Sequence, residues 1–140
     1  MVDESAQGVG LTRRRVVIAD DNPHVRRELR TLLELAGPIE IVGEAADGRE
    51  AIRLAEALRP EVMLMDLEMP VLNGYEAARQ IKAGAPSCRV IALTVHGYEA
   101  ARQKAGLSGV DAFLVKGVDV ESLVGTIVGE RSAAQGLGHA

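Results

Sequence analysis

Five residues in this chain have side chains and spacing that could do chemistry together: a carboxylate pair at Asp20 and Asp21, a single carboxylate at Asp66, a hydroxyl at Thr94 and an ammonium at Lys116. They close four short apolar runs, 16–19, 62–65, 90–93 and 112–115. Two carboxylates about 5 Å apart at an effective dielectric near 20 repel by roughly 3 kcal/mol, so three of them around one cleft call for a cation. A small all-oxygen ligand set favours Mg2+, with Mn2+ as the alternative, over zinc. With that charge offset, a carboxylate can attack phosphorus and form an aspartyl phosphate, while lysine and metal stabilise the transferring oxygens. Asp66 is the candidate nucleophile, because it stands alone at the end of the most apolar run, whereas the Asp20–Asp21 pair suits a metal. Thr94 can donate a hydrogen bond to a phosphoryl oxygen, and the Lys116 ammonium can pair with another.

These residues act together only if the chain between them brings them to one place. From Val16 onward, short apolar runs alternate with segments whose apolar residues recur every three or four positions, the pattern of a repeated strand–helix unit. The first helix takes Asn22 as N-cap and Pro23 as its first residue, buries Val25, Leu29, Leu32, Leu33 and Ala36, and stops at Gly37-Pro38. A short strand covers 39–43. Asp47 with Glu50 reads as a capping box for a second helix ending at Arg59-Pro60, and Asn73 with Glu76 caps a third that buries Ala77, Ala78 and Ile81. A weak helical stretch around 98–105 has few large apolar residues and is expected to be the most mobile. Asp119 caps a last helix carrying Val120, Leu123, Val124, Ile127 and Val128. Five strands alternating with five helices give an α/β fold with a single doubly wound parallel sheet, because each right-handed crossover returns the chain to the same end. Ligands of such sheets bind at the carboxyl ends of the strands, where all five chemical residues lie.

The chain of 140 residues is read as one domain over 13–131, with small, polar, glycine-bearing tails at 1–12 and 132–140 expected to be disordered. A single cysteine, Cys88, excludes an intramolecular disulfide and fits a reducing cytoplasm. No apolar stretch approaches a membrane span. The net charge is −4, and the basic residues are scattered apart from Arg13-Arg14-Arg15 and the group Arg26, Arg27 and Arg30, read as solvated residues flanking a strand and lining a helix. With Tyr75, Tyr98 and Phe113 as its only aromatics, the chain has no stacking platform for nucleic acid and is expected to make no direct contact with it.

The motifs Asp20-Asp21, Met65-Asp66-Leu67-Glu68-Met69-Pro70 with Asn73-Gly74, Ala92-Leu93-Thr94 and Phe113-Leu114-Val115-Lys116 follow one another in this order. In them the chain, over roughly 14–128, resembles the receiver domain of two-component response regulators. That resemblance implies a flavodoxin-like fold of strand order 2-1-3-4-5. It implies that Asp66 accepts a phosphoryl group from a sensor histidine kinase or phosphotransfer protein. It further implies that Asp21, Asp66 and the Glu68 main-chain carbonyl bind Mg2+ with Asp20 assisting through water, that Lys116 contacts the phosphoryl group, and that Thr94 and Phe113 are coupled switch residues. A receiver of this kind is not an enzyme acting on a separate substrate; it catalyses its own phosphorylation and dephosphorylation. The stretch 114–127 is more similar to receivers of nitrate-response-type helix-turn-helix regulators than to the winged-helix type.

The switch has a physical basis: if Thr94 moves toward the phosphoryl group, it vacates space that an inward-rotating Phe113 ring fills. His96, two residues beyond Thr94, and Glu68, two beyond Asp66, are placed to set the lifetime of an aspartyl phosphate. Two positions depart from the family pattern: Gly117 stands where many receivers have proline after a cis bond, and the branched Val95 stands where a smaller residue is usual, narrowing donor access. Two other functions remain open at this point, a receiver-like interaction module that is not phosphorylated and a metal-dependent phosphatase working through an aspartyl phosphate. The stimulus, the downstream effector or output domain, and the choice between monomer and homodimer are not written in these residues.

Overall fold

The computed structural model describes residues 12–129, so the tails expected at 1–12 and 132–140 fall, apart from Thr12, outside the described residues. The elements alternate as the sequence pattern requires: β1 (Arg14–Ala19), α1 (Pro23–Ala36), β2 (Ile39–Ala45), α2 (Gly48–Leu58), β3 (Val62–Met65), α3 (Gly74–Gly84), β4 (Arg89–Thr94), α4 (Glu99–Leu107), β5 (Ala112–Val115) and α5 (Val120–Val128). All neighbouring strands pair parallel, in the order β2-β1-β3-β4-β5. The order reverses between β1 and β3, and the residues that follow these two strands, Asp20 and Asp66, meet at that crevice.

The apolar runs are continuous because both faces of the sheet are covered. Val17, Ala19, Met63, Met65, Val90, Ala92 and Phe113 face one core with Ala51, Ala55, Ala77, Ala78 and Ile81 of α2 and α3. Val16, Ile18, Val62, Leu64, Ile91, Leu93 and Ala112 face the other, against Leu33 of α1 and Leu123 and Ile127 of α5. Alternate residues of each strand thus go to opposite layers.

The caps read from the sequence form. Asn22 accepts from the amides of His24 and Val25, Asp47 from Glu50, Asn73 from Glu76 and Asp119 from Ser122. The reciprocal half of the Asp47 box is shifted by one residue, Glu50 accepting from the Ala46 amide at 2.9 Å. No side chain caps α4, whose fully buried contribution is Ala105 alone.

Two readings are corrected. In α1, the row Val25, Leu29 and Leu33, spaced by four, faces the sheet, whereas Leu32 is 40% exposed and Ala36 is exposed on its flank. Arg14 and Arg15 are not merely solvated: Arg15 donates to the carbonyls of Leu58 and Arg59 at the end of α2, and Arg14 to that of Val128 at the end of α5. Arg89 joins them, donating to the carbonyls of Thr126, Ile127 and Gly129. Helix C-termini have unsatisfied carbonyls and a negative dipole end, so guanidinium groups there supply both donors and charge. At the position where many receivers have proline after a cis bond, the Lys116–Gly117 bond is trans, as are all peptide bonds among the described residues, and Gly117 takes φ of +103°, a conformation open to glycine.

Candidate functional site

Asp20 continues the sheet ladder, its amide donating to the Ala45 carbonyl at 2.9 Å, and the Asp66 amide does the same to Ala19. Both carboxylates are therefore fixed at the rim of the sheet and are buried, as is Thr94, while Asp21 is exposed. Carboxylate oxygens of Asp20, Asp21 and Asp66 lie within 4.8 Å of one another. The Lys116 ammonium bridges the two buried members, 2.7 Å from Asp20 Oδ2 and 3.1 Å from Asp66 Oδ2, and its own amide donates to the Thr94 carbonyl. The remaining oxygens are satisfied locally: Asp20 Oδ1 accepts from the Asn22 amide and Asp66 Oδ1 from the Glu68 amide, each at 2.9 Å. The four strand ends do converge.

Burial pushes the Asp66 carboxyl above its ordinary range, against the opposing pull of the Glu68 amide and Lys116, and the neighbouring Asp20 adds to the rise. For Lys116, burial alone would lower the pKa, but its bonds to Asp20 and Asp66 outweigh that and raise it. Three carboxylates against one ammonium leave two negative charges uncompensated, the charge of one divalent cation, and every side-chain donor is a carboxylate oxygen. The residues present therefore fit Mg2+ or Mn2+.

Gly74 sits against the loop that presents Asp66. Its amide donates to the Leu67 carbonyl at 2.9 Å, and a Cβ there would collide with the Asp66 carbonyl oxygen and with Leu67 Cα. Close backbone approach, the use glycine is suited to, is what lets α3 begin directly beneath the nucleophile candidate.

Phe113 pairs in register with Ala92 and Val115 with Thr94, so Thr94 and Phe113 are diagonal neighbours on the same face of the sheet. The ring is buried among the α2–α3 side of the core, and the Arg102 guanidinium of α4 lies over it at 4.7 Å from the centroid. Glu68 and His96 meet each other across the mouth, Oε2 to Nδ1 at 2.6 Å, and the imidazole stacks on Tyr98. Val95 is 60% exposed beside them.

Behind the pair of aspartates is a network that corrects another reading: Arg26 and Arg30, read as solvated residues lining a helix, are held by hydrogen bonds. Arg26 donates to the Asp20 carbonyl at 2.7 Å and to Glu44 Oε1 at 2.9 Å, and Arg30 donates to Glu44 Oε2 at 2.8 Å. Its members stand on α1 and β2 at positions whose local patterns are those of an ordinary helix face and an edge strand, so spacing alone could not have marked them.

The model of the response regulator receiver domain matches residues 16–128. The chain belongs to this family. Among relatives of the receiver, the nitrate/nitrite response regulator protein NarL of Escherichia coli (strain K12) is 34% identical over 109 residues, 78% of this chain and 50% of that protein. A two-component response regulator of the LuxR family from Aurantimonas sp. SI85-9A1 has a solved structure that superposes with a TM-score of 0.79 at 33% identity, over 89% of this chain and 87% of that one. The isolated receiver domain of RcsB from Salmonella enterica serovar Typhimurium, solved in the presence of phosphomimetic BeF3−, gives 0.74 at 25% identity, over 90% and 99%. The receiver is thus of the NarL/LuxR type with a flavodoxin-like fold, and it spans about half the length of the curated relatives it matches. No helix among the described residues is long and apolar enough to cross a membrane.

Proposed function

We propose that this receiver accepts a phosphoryl group on Asp66 from a histidine kinase or phosphotransfer protein, in a reaction dependent on Mg2+, with Mn2+ able to substitute. The observation that carries this reading is the convergence of Asp20, Asp21 and Asp66 on one another with Lys116 bridging two of them. Asp20, Asp21, Asp66 and the Glu68 carbonyl would hold the cation, which when bound supplies charge neutralisation for the incoming phosphoryl oxygens.

The chain's own groups do the rest. An oxygen of Asp66 bonds to phosphorus as the phosphorus–nitrogen bond of the donor breaks; the bonds the carboxylate already accepts, at Oδ1 from Glu68 N and at Oδ2 from Lys116 Nζ, fix its direction before reaction. Lys116 leaves one carboxylate oxygen for a phosphoryl oxygen, a move between equivalent acceptors of like charge. Thr94, one strand over and buried, supplies a hydroxyl donor; the Phe113 ring, expected from the sequence to rotate inward, already lies inward under Arg102, so displacement of Thr94 would free space into which a buried ring shifts rather than bring an exposed one in. The phosphoryl state thereby biases the Thr94–Phe113 pair. Release as inorganic phosphate requires a water at phosphorus, and the Glu68–His96 pair at the mouth governs its approach.

The domain extends over 13–131, acts in the cytoplasm and makes no direct contact with nucleic acid; its effector is either a separate protein or an output domain such as the DNA-binding ones of NarL-type regulators. Incubation of the protein with a small acyl phosphate and Mg2+, followed by intact mass, tests the central step. One phosphoryl adduct that is absent without divalent cation and in Asp66→Asn supports it. Absence of any adduct would leave an interaction module, and rapid turnover of donor without an adduct would indicate a phosphatase.

A further inference from the structure

The Asp21 side chain has no hydrogen-bond partner among the described residues, so the direction of its carboxylate is inherited from the backbone that carries it. That backbone is the peptide unit joining Asp20 to Asp21. Its oxygen, the Asp20 carbonyl, accepts from Arg26 NH1 at 2.7 Å. A guanidinium near a cation site would ordinarily oppose a divalent ion. Here Arg26 Nε donates to Glu44 Oε1 at 2.9 Å and Arg30 Nε to the other Glu44 oxygen at 2.8 Å, so the β2 carboxylate is held between two arginines of α1. Arg26 is the more enclosed of the two arginines, with 18% of its side chain exposed against 39% for Arg30. Burial would raise the Glu44 pKa, but the two guanidinium groups outweigh it and hold the carboxyl below its ordinary range, so it is ionised at neutral pH.

We propose that Arg26 and Glu44 are positioning residues for the divalent cation: Arg26 pins the Asp20–Asp21 peptide plane so that the Asp21 carboxylate faces Asp20 and Asp66, and Glu44, shared with the more exposed Arg30, both orients Arg26 and offsets its charge in part. The inference rests on the reading that the acidic cluster holds a cation. It assigns a function to two residues that touch neither metal nor phosphoryl group. Charge and position make opposite demands here. Removing the arginine takes a positive charge away, which by electrostatics alone would tighten cation binding; removing the pin misdirects Asp21, which loosens it.

Mn2+ titration of the whole protein, read from the electron paramagnetic resonance of free Mn2+, separates these effects without any phosphoryl chemistry. Arg26→Met is expected to weaken Mn2+ binding about fivefold, Glu44→Gln about threefold, and Arg26→Lys, which keeps a donor and the charge, by less than Arg26→Met. Glu40→Gln, the same loss of charge at an exposed site near the opposite end of β2, is expected to leave binding unchanged. Thermal melts accompany each variant, because a purely structural role would lower Tm while the folded protein bound Mn2+ as before. Unchanged or tighter binding in Arg26→Met overturns the proposal, and should that variant fail to fold, unchanged binding in both Glu44→Gln and Arg26→Lys does so. Absence of Mn2+ binding by the unmodified protein would instead overturn the cation-site reading, and this inference with it.

Discussion

Asp66 is held in a position where its charge is unfavourable until something is bound. Burial raises its pKa above the 3.8 of an ordinary aspartate, so in the window above that value the folded protein binds more protons than the unfolded chain. Its contribution to stability is complete below that pH and declines as pH rises through the raised value. Asp66→Asn removes the decline: without divalent cation, its Tm should exceed that of the parent by about 2–5 °C at neutral pH and by much less near pH 4, as measured by melts across that range. Lys116→Met has the opposite sign, leaving Asp20 and Asp66 facing each other without a counter-ion, and should cost about 1–3 kcal/mol in urea unfolding at neutral pH. The strand-end residues were legible because each follows an apolar run, and a parallel sheet collects such ends at one rim. Arg26, Glu44 and Arg102 were not, since a guanidinium on a helix looks the same in sequence whether it meets water, a carbonyl or a ring. His96 and Glu68 were singled out separately, but that they bond to each other could only come from three dimensions.

The elements differ in how firmly they are tied. Four helices begin under a side-chain cap, whereas α4 begins at Tyr98 without one and buries little beyond Ala105. Hydrogen exchange should therefore be fastest in 99–107 among the five helices, measured on the unmodified protein at neutral pH. The start of α3 is the converse case, packed so closely on the Asp66 loop that Gly74→Ala should cost about 1–3 kcal/mol in denaturant unfolding and slow phosphorylation by acyl phosphate, since the loop must shift to admit the methyl group. Helix starts could be read from Asn22, Asp47, Asn73 and Asp119, because a cap is a local contact between residues two or three apart. Two helix ends could be read as well, at Gly37-Pro38 and Arg59-Pro60, but the donors that satisfy end carbonyls could not: Arg14, Arg15 and Arg89 reach carbonyls 37 to 114 residues away, a distance that no window of sequence spans. Leu32 was placed inside for the same reason, since periodicity locates a stripe but not the width of what covers it.

At the scale of the whole molecule, the sheet is a rigid frame that holds an electrostatically incomplete cluster at one rim. A ligand that binds only the folded state stabilises it by mass action, so Mg2+ at ten times its Kd should add about 1.4 kcal/mol and raise Tm by several degrees, and Asp21→Asn should abolish most of that rise. The composition of the chain adds a practical consequence to the burial of one ring beneath Arg102. Phe113 is the only phenylalanine in 140 residues, and there is no tryptophan. Biosynthetic incorporation of fluorophenylalanine thus yields a protein with a single fluorine resonance, already assigned by composition and located at the position proposed to change. Titrating beryllofluoride with Mg2+ should move or split that one line, and Thr94→Ala should blunt the response, so the state of the switch can be recorded in solution without attaching any foreign dye.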